Sequence, residues 1–95
     1  MITMEKYWYL FEAHGRQVLV RKGSNDDNAP TIDLVVQIAG AEISFAVIYG
    51  NEGGEEERDR MFDTKEEELK GAATAFAEKF IGITNPMDAL AALQG

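Results

Sequence analysis

The chain has 95 residues, of which 45% are hydrophobic and 27% charged, and its formal net charge is −8 at pH 7. This hydrophobic content is ordinary for a globular domain and too high for a disordered acidic tail. The sequence contains no cysteine, which excludes disulfides, zinc–thiolate sites and thiol nucleophiles. We therefore expect a single α+β domain over residues 1–95.

Four strands are predicted in the first half of the chain. Aromatic and β-branched residues predict strands over 7–12 and 16–22, joined by a hairpin turn at Gly15. Apolar residues then alternate with other residues over 31–39 and again over 42–49, which is typical of half-buried strands. Because the connections are short, we expect a four-stranded antiparallel β-meander.

A flexible acidic loop and one long C-terminal helix are expected next. The loop covers residues 50–63, where glycines and consecutive glutamates favour an extended, self-repelling chain. Thr64 and Glu67 form a capping-box pattern that predicts the start of a helix of roughly 17 residues, ending before Gly82. Gly71 lies inside this helix, and its missing side chain indicates close approach to the sheet.

A second, shorter helix is predicted over 86–94. Asn85 is a suitable N-cap, and Pro86 suits the first helical position. A helix of about nine residues is unstable alone in water, so it must pack on its own sheet or on a second chain.

The sheet is expected to have a reverse face that the long helix cannot cover. If the strongly alternating residues face the helix, the reverse face is half apolar, and a face of this kind commonly marks an interaction site. Residues 86–94 could cover it; otherwise a partner or a second copy would. Its expected members are Val35, Ala46 and Ile48, joined by Trp8 and Leu10 in one register of the first hairpin or by Tyr7, Tyr9 and Phe11 in the other.

Catalytic and ligand-binding motifs are not found in the sequence. His14 is the only histidine and stands beside the turn glycine, where an exposed role is expected. No phosphate-binding glycine pattern is present, and the run Asn25–Asn28 breaks the calcium-loop pattern at Ala29. We expect no enzymatic activity, no cofactor and no metal site.

Negative charge is concentrated in residues 51–68, which hold nine acidic and three basic residues. This sign opposes direct binding to nucleic acid or to anionic membranes. It suits a basic protein surface, including the groove of a nucleic-acid-handling protein, where spaced carboxylates would mimic phosphates. The sequence has no apolar run long enough for a signal peptide or a membrane span, so a cytoplasmic location is expected.

These features favour a non-catalytic protein-binding module, a small acidic inhibitor or adaptor that engages an electropositive partner. In size and charge the chain is similar to the small acidic anti-defence proteins that mobile elements encode to block host machinery, although it shares no motif with them. The alternative is a homodimeric structural or chaperone-like assembly subunit. The candidate partner-binding residues are Glu55, Glu56, Glu57, Asp59, Glu66, Glu67, Trp8, Tyr9 and Phe11.

Overall fold

The computed structural model describes residues 8–50 and 52–94 and contains four strands followed by three helices. The α+β class and the four-stranded antiparallel sheet agree with the sequence-based expectation. The elements are β1 (Trp8–Ala13), β2 (Arg16–Ser24), β3 (Pro30–Ile38), β4 (Ala41–Ile48), α1 (Gly54–Thr64), α2 (Glu66–Glu78) and α3 (Pro86–Gln94).

The strands form one sheet in the order β1-β2-β3-β4, and every neighbouring pair is antiparallel. Two tight turns set this meander. His14 and Gly15 join β1 to β2 with φ values of 52° and 75°, and Ala39 and Gly40 join β3 to β4 with 52° and 82°. Positive φ at both turn residues is the geometry that matches the twist of the flanking strands.

Strand register assigns each side chain to one of two faces. Tyr9, Val20 and Leu34 lie opposite one another on adjacent strands and face the helices, and we call this the helix side. Leu10 and Leu19 are paired in the next row and point the other way, onto what we call the outer face. Because side chains alternate along a strand, this single register places every strand residue.

The hydrophobic core lies between the helix side of the sheet and the three helices. Phe62 comes from α1 and Ala89 from α3, and both are fully buried among the strand residues. The remaining buried members are Tyr9, Val18, Val20, Ile32, Leu34, Val36, Ile38, Ile43, Leu69, Ala73, Phe76, Ala77 and Phe80.

Helix α1 occupies most of the segment that was expected to be a flexible loop, so that prediction is wrong over residues 54–63. Glu55, Glu56 and Glu57 stand in the first turn, where the helix dipole favours negative charge. Burial of Phe62 then anchors the last turn in the core. The side chain of Arg58 adds a hydrogen bond of 2.8 Å to the carbonyl of Gly23 in β2.

The long helix expected from Thr64 is not confirmed, because α1 and α2 are separate and α2 has 13 residues. Lys65, with φ −121° and ψ 46°, interrupts the helical backbone between them. Thr64 does not cap α2; its hydroxyl donates to the carbonyl of Arg60 within α1. The predicted close approach of Gly71 to the sheet is also wrong, since a Cβ there would meet no atom within 4 Å.

Helix α3 begins as predicted. The side-chain oxygen of Asn85 accepts a hydrogen bond of 2.7 Å from the backbone N–H of Met87, and Pro86 is the first helical residue. The helix contacts β4 and contributes Ala89 to the core on the helix side. It therefore does not cover the outer face.

Candidate protein-interaction surfaces

The outer face of the sheet carries none of the described helices. The register of the first hairpin places Trp8 and Leu10 on this face, which is one of the two registers considered from the sequence. Trp8 is 58% exposed, and Leu10 and Ile48 are similarly exposed near the opposite edges of the sheet. Val35 is on the same face, paired with Leu19, and is buried.

An ion-pair network crosses the middle of the outer face. Arg21 on β2 reaches Asp33 on β3 with an Nε–Oδ2 distance of 3.6 Å and Glu42 on β4 with an Nη2–Oε1 distance of 3.2 Å. The hydroxyl of Thr31 donates to the other oxygen of Asp33 at 2.9 Å. The polar groups at the centre are thus paired with one another, so a partner can cover this face without leaving them unsatisfied.

A shallow depression of about 480 Å³ lies on this face beside the network. Apolar residues line it together with glutamine, arginine and glutamate. Such a mixed composition is ordinary for a protein interface. The lining residues are Leu10, Gly15, Arg16, Gln17, Leu19, Arg21, Val35, Val36, Gln37 and Glu42.

The three predicted aromatic anchors do not form one surface. Trp8 is exposed on the outer face, whereas Tyr9 is 7% exposed and Phe11 packs against the core on the helix side. The rings of Tyr9 and Phe11 stack with centroids 5.5 Å apart. Tyr9 is therefore a core residue and is not available as an anchor, because strand alternation separates it from Trp8.

Two tyrosines have perturbed acidity. Burial raises the pKa of the Tyr9 hydroxyl above its ordinary value of 10.0, and the nearby carboxylates of Glu66 and Asp63 raise it further against the opposing charge of Lys22. Burial also raises the pKa of Tyr49, with a smaller contribution from Glu57. Both hydroxyls are therefore neutral at physiological pH.

The predicted acidic residues lie on α1 and at the start of α2, with Glu55, Glu56, Glu57, Glu66 and Glu67 exposed. In the part of the chain that the structure describes, the first three of these and Glu67 form no salt bridge.

Asp59 differs from the other predicted acidic residues because it holds α1 on the sheet. Its carboxylate lies 3.4 Å from Lys22 Nζ and 3.0 Å from Arg58 Nε. Lys22 also approaches Asp63 at 3.5 Å, with its Nζ 5.3 Å from the centre of the Phe62 ring. The structure therefore gives Asp59 a structural contact between α1 and β2.

The acidic helices and the outer face lie on opposite sides of the sheet. Trp8 and Glu55–Glu57 therefore do not share one contact patch, although the sequence analysis grouped them together. The two surfaces differ in kind: one is charged and helical, and the other is apolar with a paired polar centre. A partner large enough to bind the outer face still experiences the negative field of the whole chain.

The residues considered for chemistry remain apart. His14 is exposed in the β1–β2 turn. Within residues 8–50 and 52–94, no group of three or more histidine, cysteine, aspartate or glutamate side chains is placed to hold a metal ion. Among the same residues, no helix has the length and apolar character needed to cross a membrane.

Strand β4 exposes two of the alternating apolar side chains that were expected to face the long helix. Phe45 and Val47 point to the helix side but are 50% and 41% exposed. The helices extend over β1, β2 and β3 more fully than over β4. Alternation predicted the direction of these side chains, but only the lengths and positions of the helices determine which of them are covered.

Comparison with known proteins identifies no relative. No protein-family description, no curated protein and no solved structure matches the chain. Function is therefore inferred from the outer face, the acidic helices and the exposed edge of the sheet.

Proposed function

We propose that this protein is a non-catalytic protein-binding module that engages a partner with a basic surface. The observation that carries the proposal is the outer face of the sheet, which presents Trp8, Leu10 and Ile48 around a centre of paired polar groups. Exposed apolar patches on a domain commonly mark sites of interaction.

Trp8 and Leu10 are the proposed anchors of the contact. Interface energies concentrate in a few large side chains, and tryptophan is among the residues most enriched at such positions. Both residues lie on β1, an edge strand whose outer face is open. The Arg21–Asp33–Glu42 network beside them adds paired polar groups that orient the contact.

The acidic helices supply long-range attraction to a basic partner. The chain has a net charge of −8, and Glu55, Glu56 and Glu57 lie together and exposed at the start of α1. Such a field accelerates the encounter with a positively charged surface. Added salt weakens it, because the screening length is about 10 Å at 0.1 M ionic strength. A nucleic-acid-handling protein is the proposed class of partner, because its basic surface matches this field.

The proposal is tested by affinity capture with matched bait variants. The baits are wild type, Trp8→Ala combined with Leu10→Ser, and the triple variant Glu55→Gln, Glu56→Gln, Glu57→Gln. Ile81→Ser is the control, because Ile81 is as exposed as Trp8 at 59% but follows α2 and lies away from the outer face. Circular dichroism first establishes that each bait is folded.

The proposal expects one basic protein to be captured by wild type and by Ile81→Ser. Its recovery should fall at least about tenfold with the Trp8/Leu10 variant, since truncating a hot-spot residue commonly costs 2 kcal/mol or more. The glutamine variant should bind more weakly at low salt and show less change when salt is raised. Equal recovery with the wild-type and Trp8/Leu10 baits would contradict the proposal.

A further inference from the structure

Strand β4 ends the sheet with an open edge on which four consecutive apolar residues, Phe45–Ile48, are exposed. Phe45 and Val47 are exposed on the helix side, and Ile48 is exposed on the outer face. Edge strands are normally protected by charges, prolines or bulges. None of these occurs from Ile43 to Tyr49, where the sequence is Ile-Ser-Phe-Ala-Val-Ile-Tyr.

The backbone groups at this edge are oriented to accept another strand. Tyr49 donates its N–H to the carbonyl of Pro30 at 2.9 Å, so its peptide group faces β3. Peptide groups alternate in direction along an antiparallel strand. Those of Phe45 and Val47 therefore also face β3, while those of Ser44 and Ala46 point to the open edge.

We propose that β4 pairs with β4 of a second copy of this chain, in antiparallel orientation about a twofold axis. Pairing of identical strands in this direction is isologous and closes at two chains. The sheet would continue to eight strands, and Trp8 on β1 would lie at the far edge of each copy. The inference does not depend on a basic partner, because the outer face stays open in this dimer.

The lack of charged residues at this edge favours a second copy of the chain over a charged strand from another protein. The chain carries −8 overall, and its acidic residues are concentrated in α1 and the start of α2. From Ile43 to Tyr49 there is no charge of either sign, so this edge offers nothing to attract a basic or acidic peptide. It is also the place where two negatively charged copies can meet with little direct repulsion.

The strand is self-complementary in the register centred on Phe45. In that register the pairs are Phe45 with Phe45, Ser44 with Ala46, Ile43 with Val47, and Glu42 with Ile48. Large apolar side chains meet on the helix side. On the outer face Ser44 meets Ala46 and Glu42 meets Ile48, and no two like charges are opposed. The two Phe45 residues form a pair without direct hydrogen bonds, in which side chains approach most closely.

The experiment measures molar mass by light scattering over a concentration series for wild type and edge variants. Ala46→Pro removes an N–H that points away from β3, so the internal ladder keeps its hydrogen bonds. Phe45→Lys and Phe45→Glu each place like charges opposite each other in the dimer. Ile81→Lys adds the same charge at an exposed position outside β4 and serves as the control.

We expect wild type and Ile81→Lys to have twice the 10.5 kDa chain mass. Ala46→Pro, Phe45→Lys and Phe45→Glu alone should be monomeric, and an equal mixture of the Lys and Glu variants should recover the mass of two chains. A monomeric wild type at high micromolar concentration, an assembly larger than two, or a dimer that persists in all three edge variants would overturn the proposal.

Hydrogen exchange on wild type provides a test that needs no variant to fold. The amides of Ser44 and Ala46 are expected to exchange on the order of a hundredfold more slowly in concentrated than in dilute protein, because only the dimer pairs them. Amides that already donate to β3, such as that of Tyr49, should show much less change. Exchange at Ser44 and Ala46 that does not depend on concentration would contradict strand pairing.

Discussion

The hydroxyl of Tyr9 on β1 donates a hydrogen bond of 2.9 Å to the backbone carbonyl of Phe62 on α1. The two rings also pack with centroids 4.8 Å apart. Phe62 lies in the last turn of α1, where carbonyl groups lose their intrahelical partners. A side chain of the sheet thus helps to cap a helix. This contact holds α1 on the sheet, although the charge of this segment had favoured a loop.

Replacing Tyr9 with phenylalanine is expected to destabilise the fold by about 1–2 kcal/mol. The ring is kept, but the buried carbonyl of Phe62 loses a hydrogen bond, and an unsatisfied buried acceptor has about this cost. Urea unfolding followed by circular dichroism measures the change. Tyr49→Phe is the matched control and should cost less than about 0.5 kcal/mol, since Tyr49 is half-buried and its hydroxyl makes no hydrogen bond among the described residues. Equal losses in both variants would contradict the capping role.

Stability is expected to fall at alkaline pH because of Tyr9. Its pKa is raised in the folded state, above the ordinary value of 10.0 that applies to the unfolded chain. The folded state therefore holds the proton more tightly, so this contribution is complete below about pH 10 and is lost as pH rises through the folded pKa.

Urea unfolding at a series of pH values measures this alkaline loss. Tyr9→Phe should show a smaller decrease than wild type above pH 10. An identical alkaline slope in the two proteins would show that Tyr9 does not carry the effect.

Gly71→Ala is expected to stabilise the protein by about 1 kcal/mol. Gly71 is exposed inside α2, and an added Cβ would meet no atom within 4 Å, so alanine gains helix propensity without a clash. Gly54→Ala is the opposing control, because its Cβ would lie 3.1 Å from the backbone carbonyl carbon of Tyr49. Thermal unfolding should show a higher midpoint for the first variant and a lower one for the second; a decrease for Gly71→Ala would indicate a contact that the structure lacks.

Asn85→Ala is expected to destabilise α3 by about 1 kcal/mol, because the amide of Met87 loses its side-chain acceptor. Hydrogen exchange of the α3 amides measures the effect locally, and they should exchange faster. Thr84→Ala, one residue earlier and also exposed, should leave the rates unchanged. Unchanged exchange in Asn85→Ala would show that burial of Ala89 alone holds this helix.

The strands were predictable because their signal is local. Alternation from Ile32 to Ile38 and in β4 determines which side chains share a face, and the short connections determine the meander. The N-cap at Asn85 was predictable for the same reason, since a cap depends on residues only two or three positions away.

Helix α1 was not predictable from local charge. Glu55–Glu57 suit a solvated loop and the first turn of a helix equally well, and the contacts that decide between them come from distant strands. One is the hydrogen bond that the Tyr9 hydroxyl donates to the carbonyl of Phe62, and the other is the hydrogen bond that Arg58 donates to the carbonyl of Gly23. The exposure of Phe45 and Val47 was missed for a related reason, because it depends on how far three short helices reach across the sheet.

Site-specific photo-cross-linking tests most directly whether the outer face binds a partner. A photoreactive phenylalanine analogue replaces Leu10 on that face or, as the control, Ala75, which is exposed on α2. The account predicts that irradiation of low-salt cell lysate yields a covalent adduct with a basic protein from position 10 and none from position 75. No adduct from position 10, or the same adducts from both positions, would contradict it.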